Sequence, residues 1–337
     1  MGVVRIGVLG AARIAPKALL EPAAQNRDVD VVAVAARDPA QARAFAETYG
    51  IPKVHNAYDA LIADPAIDAI YNPLPNSLHG EWSIRALRAG KHVLCEKPLA
   101  ANATEAATMA TVAEETGLVL MEAFHTIYHP LAGRLREIVA GGELGTLQQV
   151  EAHFCTLLRR RDDIRLNYAL GGGAMMDLGC YPIRLLRFVL GTEPEVVHAT
   201  ATCYTPQIDR KMVVELRFPR DITGHVSCAF WSRRLIRITA RIVGDQGEVH
   251  VLKPLLPHLF HLVRVRTKRG LRIERCPGQS TYAYQLQAFV QSVRGEAPCI
   301  SDGWDGVATM RTIDATYGAA GLERRQPFTD SAGSANL

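Results

Sequence analysis

Val4-Arg5-Ile6-Gly7-Val8-Leu9-Gly10-Ala11-Ala12-Arg13-Ile14-Ala15 is the stretch whose reading decides the fold. A short buried strand runs into Gly10, and a helical pattern, interrupted early by Pro16, follows from Ala11 to Gln25. A dinucleotide-binding turn wants one glycine for the tight turn, a second where the backbone meets a pyrophosphate, and a third where the helix packs on the strand. Only the first is present; Ala12 and Ala15 hold the other two places. The motif alone is weak, and the series behind it gives it weight. Strand patterns at 29–37, 66–74, 92–97 and 118–123 alternate with helical patterns at 39–49, 79–89 and 104–116, with Asp38 as N-cap of the first of these. Such alternation predicts a parallel sheet covered on both faces, with a helix N-terminus after Gly10 that offers amide donors to a phosphate.

After Phe124 the rhythm changes. A helix over 131–140 and a strand over 148–154 lead to a polar loop, Arg159 to Arg165, and the run Gly171-Gly172-Gly173 precedes a helix from about Met175 to Leu190. Strands at 196–205, 211–218, 223–231, 236–244, 247–252 and 261–267 then follow without helices between them, which implies an antiparallel sheet. Two helices, 283–294 and 303–320, close the chain, and 331–337 read as a frayed end. The fold class is an α/β dinucleotide-binding domain followed by an α+β domain with a large, mostly antiparallel open sheet. The expected division is 1–122, 123–325 and a tail, 326–337.

The chain has 337 residues, 48% of them hydrophobic and 21% charged, which suits a compact protein of two domains and excludes a disordered or coiled-coil chain. Its net charge of +4 is too mild to suggest nucleic acid. Residues 1–150 carry 13 Lys+Arg against 16 Asp+Glu, whereas 151–337 carry 25 against 18, so the basic character belongs to the second half. Arg233, Arg234, Arg237, Arg241, Arg264, Arg266 and Arg269 recur there, with Arg264 and Arg266 on one strand face. A solvated or oligomer-facing sheet surface is the favoured reading over an anion site. No apolar run approaches a membrane span, and the N-terminal stretch lacks the ordered regions of a secretory leader. Seven scattered cysteines suit reduced thiols better than disulfides or zinc. No metal site is expected, and a cytoplasmic location is.

The end of the second strand separates the two nicotinamide cofactors. An acidic residue there grips the ribose of NAD, whereas a nearby arginine accommodates the extra phosphate of NADP. The sequence reads Val34-Ala35-Ala36-Arg37-Asp38, with alanine at the acidic place, arginine next, and Asp38 assigned to helix capping. NADP(H) is favoured over NAD(H).

Three further segments are distinctive: Asn72-Pro73-Leu74-Pro75-Asn76-Ser77-Leu78-His79, Cys95-Glu96-Lys97-Pro98-Leu99, and Gly171 to Tyr181, reading G-G-G-x-x-x-D-x-G-x-Y. With the glycine-poor turn, they make the sequence resemble the glucose-fructose oxidoreductase / inositol dehydrogenase (Gfo/Idh/MocA) family. Within it, the branch of dihydrodiol dehydrogenases and NADP-dependent xylose dehydrogenases is most similar. The resemblance implies a Rossmann domain, then an α+β domain whose sheet serves self-association as a homodimer or homotetramer. It also implies that Lys97 lies beside nicotinamide and substrate, with a Lys97-Pro98 bond that is often cis in relatives.

Asp177 and Tyr181, four apart on a predicted helix, share a face. Moving a hydride from a carbinol carbon also requires removal of the hydroxyl proton. Tyrosine suits that task if a neighbouring ammonium lowers its reference pKa of about 10. Tyr181 is therefore expected as acid/base, Lys97 as its electrostatic partner and substrate donor, and Asp177 as the group that orients sugar or lysine. The cofactor is expected to meet Gly10, Ala11, Ala12, Arg13, Ile14, Arg37, Pro73, Leu74, Asn76, His79, Glu96 and Lys97. Asn76 and His79 would face the nicotinamide, and Lys97, Arg165, Asp177 and Tyr181 the substrate. For the Arg159–Arg165 loop, a mobile, solvated segment is favoured over an acidic-substrate site. The activity expected is oxidation of an aldose at its anomeric carbon. The alternatives are reduction of a keto or anhydro sugar, and oxidation of a vicinal diol. The family also holds non-catalytic cofactor sensors, against which the presence of Lys97, Asp177 and Tyr181 together argues.

Overall fold

Small and branched apolar residues bury β1 (Val4–Leu9) almost completely, and the chain around it alternates as the sequence reads. The structure is a computed structural model that describes residues 2–232 and 236–328. With β2 (Val29–Ala35), β3 (Lys53–His55), β4 (Ala69–Asn72), β5 (His92–Cys95) and β6 (Leu120–Glu122), β1 forms a parallel sheet in the order β3-β2-β1-β4-β5-β6. The order reverses beside β1, so the carboxyl ends of β1 and β4 flank the crevice in which such sheets bind ligands. Helices α1 (Glu21–Ala24), α2 (Pro39–Tyr49), α3 (Tyr58–Ile62), α4 (His79–Arg88) and α5 (Ala103–Thr116) run between these strands.

Two local readings change. Pro16 starts a helical turn, Pro16–Leu20, that continues into α1, because a residue without an N–H costs nothing in a first turn. The short β3 and α3 carry too little periodicity to be read from sequence, as does the exposed edge strand β14 (Gly270–Glu274).

The second sheet contains β7 (Leu147–Cys155), β8 (Glu195–Thr205), β9 (Ile208–Phe218), β10 (Ile222–Ala229), β11 (Arg237–Gly244), β12 (Gly247–Leu252), β13 (Leu262–Thr267) and β14, in the order β14-β13-β12-β11-β7-β10-β9-β8. All neighbours are antiparallel except β7 and β10. Residues alternate between a covered and an open face: Val263 and Val265 are buried while Arg264 and Arg266 are exposed. Arg233, Arg234 and residues 329–337 lie outside the described residues. Of the expected tail, Phe328 donates its N–H to Ser77 O at 2.9 Å.

Helices α6 (Pro130–Ala140) and α7 (Cys180–Leu190) pack together, and α7 covers β7. The last two helices return to the first sheet. α8 (Thr281–Val293) places Tyr282, Leu286, Phe289 and Val290 in one core with Val4, Ile6 and Val8, and α9 (Gly303–Ala319) lies along α5. Phe289 is fully buried, so truncating it to alanine would cost about 3–5 kcal/mol and loosen this docking. Among the described residues no helix is long and apolar enough to cross a membrane.

Candidate active site

Gly10 ends β1 at φ +82°, a conformation that side chains resist, and donates its N–H to Ala35 O at 2.6 Å. A β-carbon there would also stand 3.1 Å from Leu74 Cδ2, so the turn and the segment after β4 need glycine to approach. Ala11, Ala12, Arg13 and Ile14 carry the chain to Pro16. At the end of β2, Arg37 is exposed, while the Asp38 carboxylate accepts the Ala40 N–H at 2.8 Å as the N-cap of α2. Capping occupies the acid and leaves the guanidinium outward. These residues fit a dinucleotide with a phosphate on its ribose better than one with free hydroxyls.

A cavity of about 440 Å³ opens beyond these strand ends, lined by Ile14, Pro73, Leu74, Asn76, His79, Glu96, Lys97, Arg165, Asp177 and Tyr181 among others. Gly10, Ala11, Ala12, Arg13 and Arg37 lie outside its lining. Buried Asn72 shapes the turn between them, donating to His79 O at 3.2 Å and Ser83 Oγ at 3.0 Å. Asn76 donates to Gly171 O at 2.9 Å and so ties the turn to the triple glycine. His79 borders the cavity, with both its ring nitrogens set against backbone carbonyls. Its ring nitrogens lie 2.9 Å from Pro98 O and 2.7 Å from Leu74 O, and burial pushes its pKa down to about 4. It clamps the turn to the Lys97-Pro98 bond, which is cis.

Lys97, Asp177 and Tyr181 meet on the opposite wall. Lys97 Nζ donates to Asp177 O at 3.0 Å and Asp177 Oδ1 at 3.1 Å, and lies 4.9 Å from the centre of the Tyr181 ring. Burial works against the ammonium, but Asp177 and Glu96 hold its pKa above the ordinary lysine value. Arg165 Nε reaches Asp177 Oδ2 at 3.0 Å, so Arg165, itself partly exposed, is tied to the cavity; Arg159, Arg160 and Arg161 are exposed. Burial pushes the Asp177 carboxyl up, and the two cations outweigh it and bring it below the usual carboxylate range. Glu96 accepts from the Tyr71 hydroxyl at 2.7 Å, and burial raises its pKa. Arg13 extends to Asp163 at 3.7 Å, touching the same loop.

The expected acidification of Tyr181 runs against its surroundings. Burial pushes the phenol well above 10, and Tyr282, Glu96, Cys180 and Asp177 add to the effect. The ammonium donates to Asp177 and lies over the Tyr181 ring face. These surroundings favour the protonated phenol over phenolate. Phe124 and Phe154 box its ring edge-on, each 5.5 Å away between centroids.

The triple glycine positions Asp177. Gly173 has φ +131°, and a β-carbon there would fall 2.3 Å from Asp209 Oδ1. Asp209 and Arg325, both fully buried, pair at 3.0 Å, and Asp209 also accepts from Met175 N at 2.7 Å and the Tyr317 hydroxyl at 3.0 Å. This knot holds the turn Met175–Gly179 on which Asp177 rides.

Sequence reading passed over His125, Tyr282, Asp209 and Arg325. His125 had a usable signal, because it stands just past the carboxyl end of a parallel strand, where ligands gather. Its Nε2 lies 3.3 Å from the Tyr181 hydroxyl. Tyr282 comes to the cavity from α8, with nothing local to announce it.

Residues 4–124 match the profile of the oxidoreductase family with an NAD-binding Rossmann fold, and 133–250 match the GFO/IDH/MocA C-terminal domain. The chain belongs to the Gfo/Idh/MocA oxidoreductase family. It is 36% identical over 316 residues to D-xylose 1-dehydrogenase (NADP(+)) 2 of Haloferax volcanii, covering 93% of this chain and 96% of that protein. It is 35% identical over 331 residues to a dTDP-3,4-didehydro-2,6-dideoxy-alpha-D-glucose 3-reductase of Streptomyces violaceoruber, covering 94% and 96%. A 3-ketoreductase of Actinomadura kijaniata, solved with NADP and TDP-benzene, superposes with a TM-score of 0.87 at 28% identity, covering 94% of this chain and 98% of that one. This Gfo/Idh/MocA protein thus has the expected α/β sheet followed by the large, mostly antiparallel sheet.

Proposed function

We propose that this enzyme is an NADP(H)-dependent oxidoreductase acting on a sugar CH–OH group, first of all an aldose oxidised at its anomeric carbon. The observation that carries the chemistry is the meeting of Lys97, Asp177 and Tyr181 in one cavity at the strand ends. Similarity to the xylose dehydrogenase supports the substrate class, and exposed Arg37 with a capped Asp38 supports the cofactor. Bound there, the nicotinamide supplies or accepts the hydride.

The chain's own residues manage the substrate oxygen. Lysine carries three N–H donors, and two of Lys97's go to Asp177, leaving one for that oxygen. Asp177 keeps the ammonium charged and fixed, and Arg165 holds Asp177 from its other side. Tyr181 gives its proton to the oxygen during reduction; during oxidation it takes the hydroxyl proton only as its own leaves, and His125 Nε2, 3.3 Å from the hydroxyl, stands where that proton can go. A second reading, reduction of a keto sugar, draws on the activity named for the Streptomyces relative. Self-association through the open sheet face, where Leu271 and Ile273 are exposed, and a cytoplasmic location suited to unpaired cysteines complete the proposal.

A panel of aldoses, keto and anhydro sugars and vicinal diols, with NADP and NADPH, followed by cofactor absorbance, tests the reading. Oxidation of D-xylose or a D-glucose-type aldose is expected. Turnover confined to diols, or binding of NADP(H) without turnover of any of them, would overturn it.

A further inference from the structure

A line of hydrogen bonds leads away from the Tyr181 hydroxyl. His125 Nε2 lies 3.3 Å from the Tyr181 hydroxyl, and His125 Nδ1 lies 2.7 Å from Thr281 Oγ1. Thr281 Oγ1 in turn lies 3.1 Å from His258 Nδ1. His125 and Thr281 are buried, whereas His258, in the turn before β13, is partly exposed. Three separate parts of the chain meet in this line: the residues after β6, the first residue of α8, and the 253–259 turn. The ring of Tyr282 lies against that of His125, with centroids 4.1 Å apart, and fixes its plane.

We propose that His125, Thr281 and His258 form a proton relay that connects the Tyr181 hydroxyl to solvent. The inference rests on Tyr181 acting as the proton donor and acceptor of the reaction. In the resting arrangement for reduction, His125 carries its proton on Nε2 and donates to the Tyr181 oxygen, which leaves the phenol hydrogen free for the substrate oxygen. Once that hydrogen has passed to the substrate oxygen, the phenolate takes the Nε2 proton. His125 Nδ1 takes the Thr281 hydroxyl hydrogen, and Thr281 takes the Nδ1 hydrogen of His258. His258 regains a proton at Nε2 from water. One proton has entered, each bond broken is matched by one formed, and His125 has only exchanged tautomers. Oxidation runs the line backwards.

The surroundings favour this neutral exchange over an imidazolium. Burial, with the nearby positive charge of Lys97, His258 and Lys17, pushes the His125 pKa down to about 3. Burial and Lys17 also lower His258, which in turn lies near His129. A mere structural tie between α8 and the turn after β6 would need the His125–Thr281 bond but not the third link.

Ring-¹⁵N histidine NMR on the protein without cofactor tests the relay. When His258 is protonated its Nδ1–H donates to Thr281, which must then donate to His125 Nδ1 and fix the Nε2–H tautomer. The His125 signals should therefore follow the titration of His258 although His125 stays neutral. Thr281→Val should abolish the linkage and lower kcat at least about 10-fold with KM unchanged, on the sugar identified by the panel, while Thr281→Ser retains both. His258→Gln, on an accessible turn, should lower kcat in the same way without touching the buried core. His125 signals indifferent to His258 in the wild type, or wild-type kcat in both Thr281→Val and His258→Gln, would overturn the relay and leave the role of Tyr181 standing. Wild-type turnover in Tyr181→Phe would instead remove that role and the relay with it.

Discussion

Replacing Glu122 with glutamine should flatten the dependence of stability on pH. Glu122 is fully buried at the end of β6, where Oε1 accepts the Leu99 N–H at 2.6 Å just beyond the Lys97-Pro98 bond. Burial, with the charge of Asp305, pushes its carboxyl from 4.5 up to about 8, against the pull of the Leu99 N–H, Arg184 and Arg187. A raised folded-state pKa means that the folded protein keeps a proton the unfolded chain releases. The stabilisation is complete below about pH 4.5 and is lost progressively as pH rises to about 8. At about 1.36 kcal/mol per pH unit that gap amounts to roughly 5 kcal/mol at most. Glutamine keeps the acceptor for Leu99 and cannot ionise. The urea midpoints of Glu122→Gln and wild type, measured from pH 5 to 8, should therefore diverge, the variant gaining at least about 2 kcal/mol relative to wild type by pH 8. Glu105, which burial raises to about 7, is common to both chains and cancels in the difference. Parallel midpoints across that range would refute the assignment of a buried, protonated Glu122.

Other substitutions address the remaining parts. Arg37→Ala should raise KM for NADP or NADPH about 10- to 100-fold and leave the weaker use of NAD(H) unchanged, equivalent to losing about 1.5–3 kcal/mol of charge-assisted hydrogen bonding to a phosphate; initial rates with both cofactors decide it. Arg325→Met should destabilise the protein by about 3–5 kcal/mol, because Asp209 is left buried without its cation, and thermal unfolding would register the loss.

The sheets were legible because their strands are regular: alternation of short apolar runs with helices specifies the parallel order, and period-two burial specifies the open sheet. Lys97, Asp177 and Tyr181 were legible through motifs, which locate residues but not the direction of a hydrogen bond. That is why Tyr181 was expected to be acidified, whereas the ammonium is turned to Asp177. The two backbone carbonyls against the ring nitrogens of His79 were illegible for a related reason. Asp209 and Arg325 stand 116 residues apart in sequence and meet only in the folded chain, and Tyr282 reaches the cavity from α8, late in the chain.

The turnover of Tyr181→Phe and Lys97→Met, on the best sugar of the panel and with NADP(H) binding followed separately by fluorescence, tests the central claim most directly. Both variants should bind the cofactor as wild type does and lose about 10²- to 10⁴-fold in kcat, as expected when a positioned proton donor or its charged partner is removed. Wild-type kcat in either variant, with cofactor bound, would contradict the assignment of these two residues to the reaction.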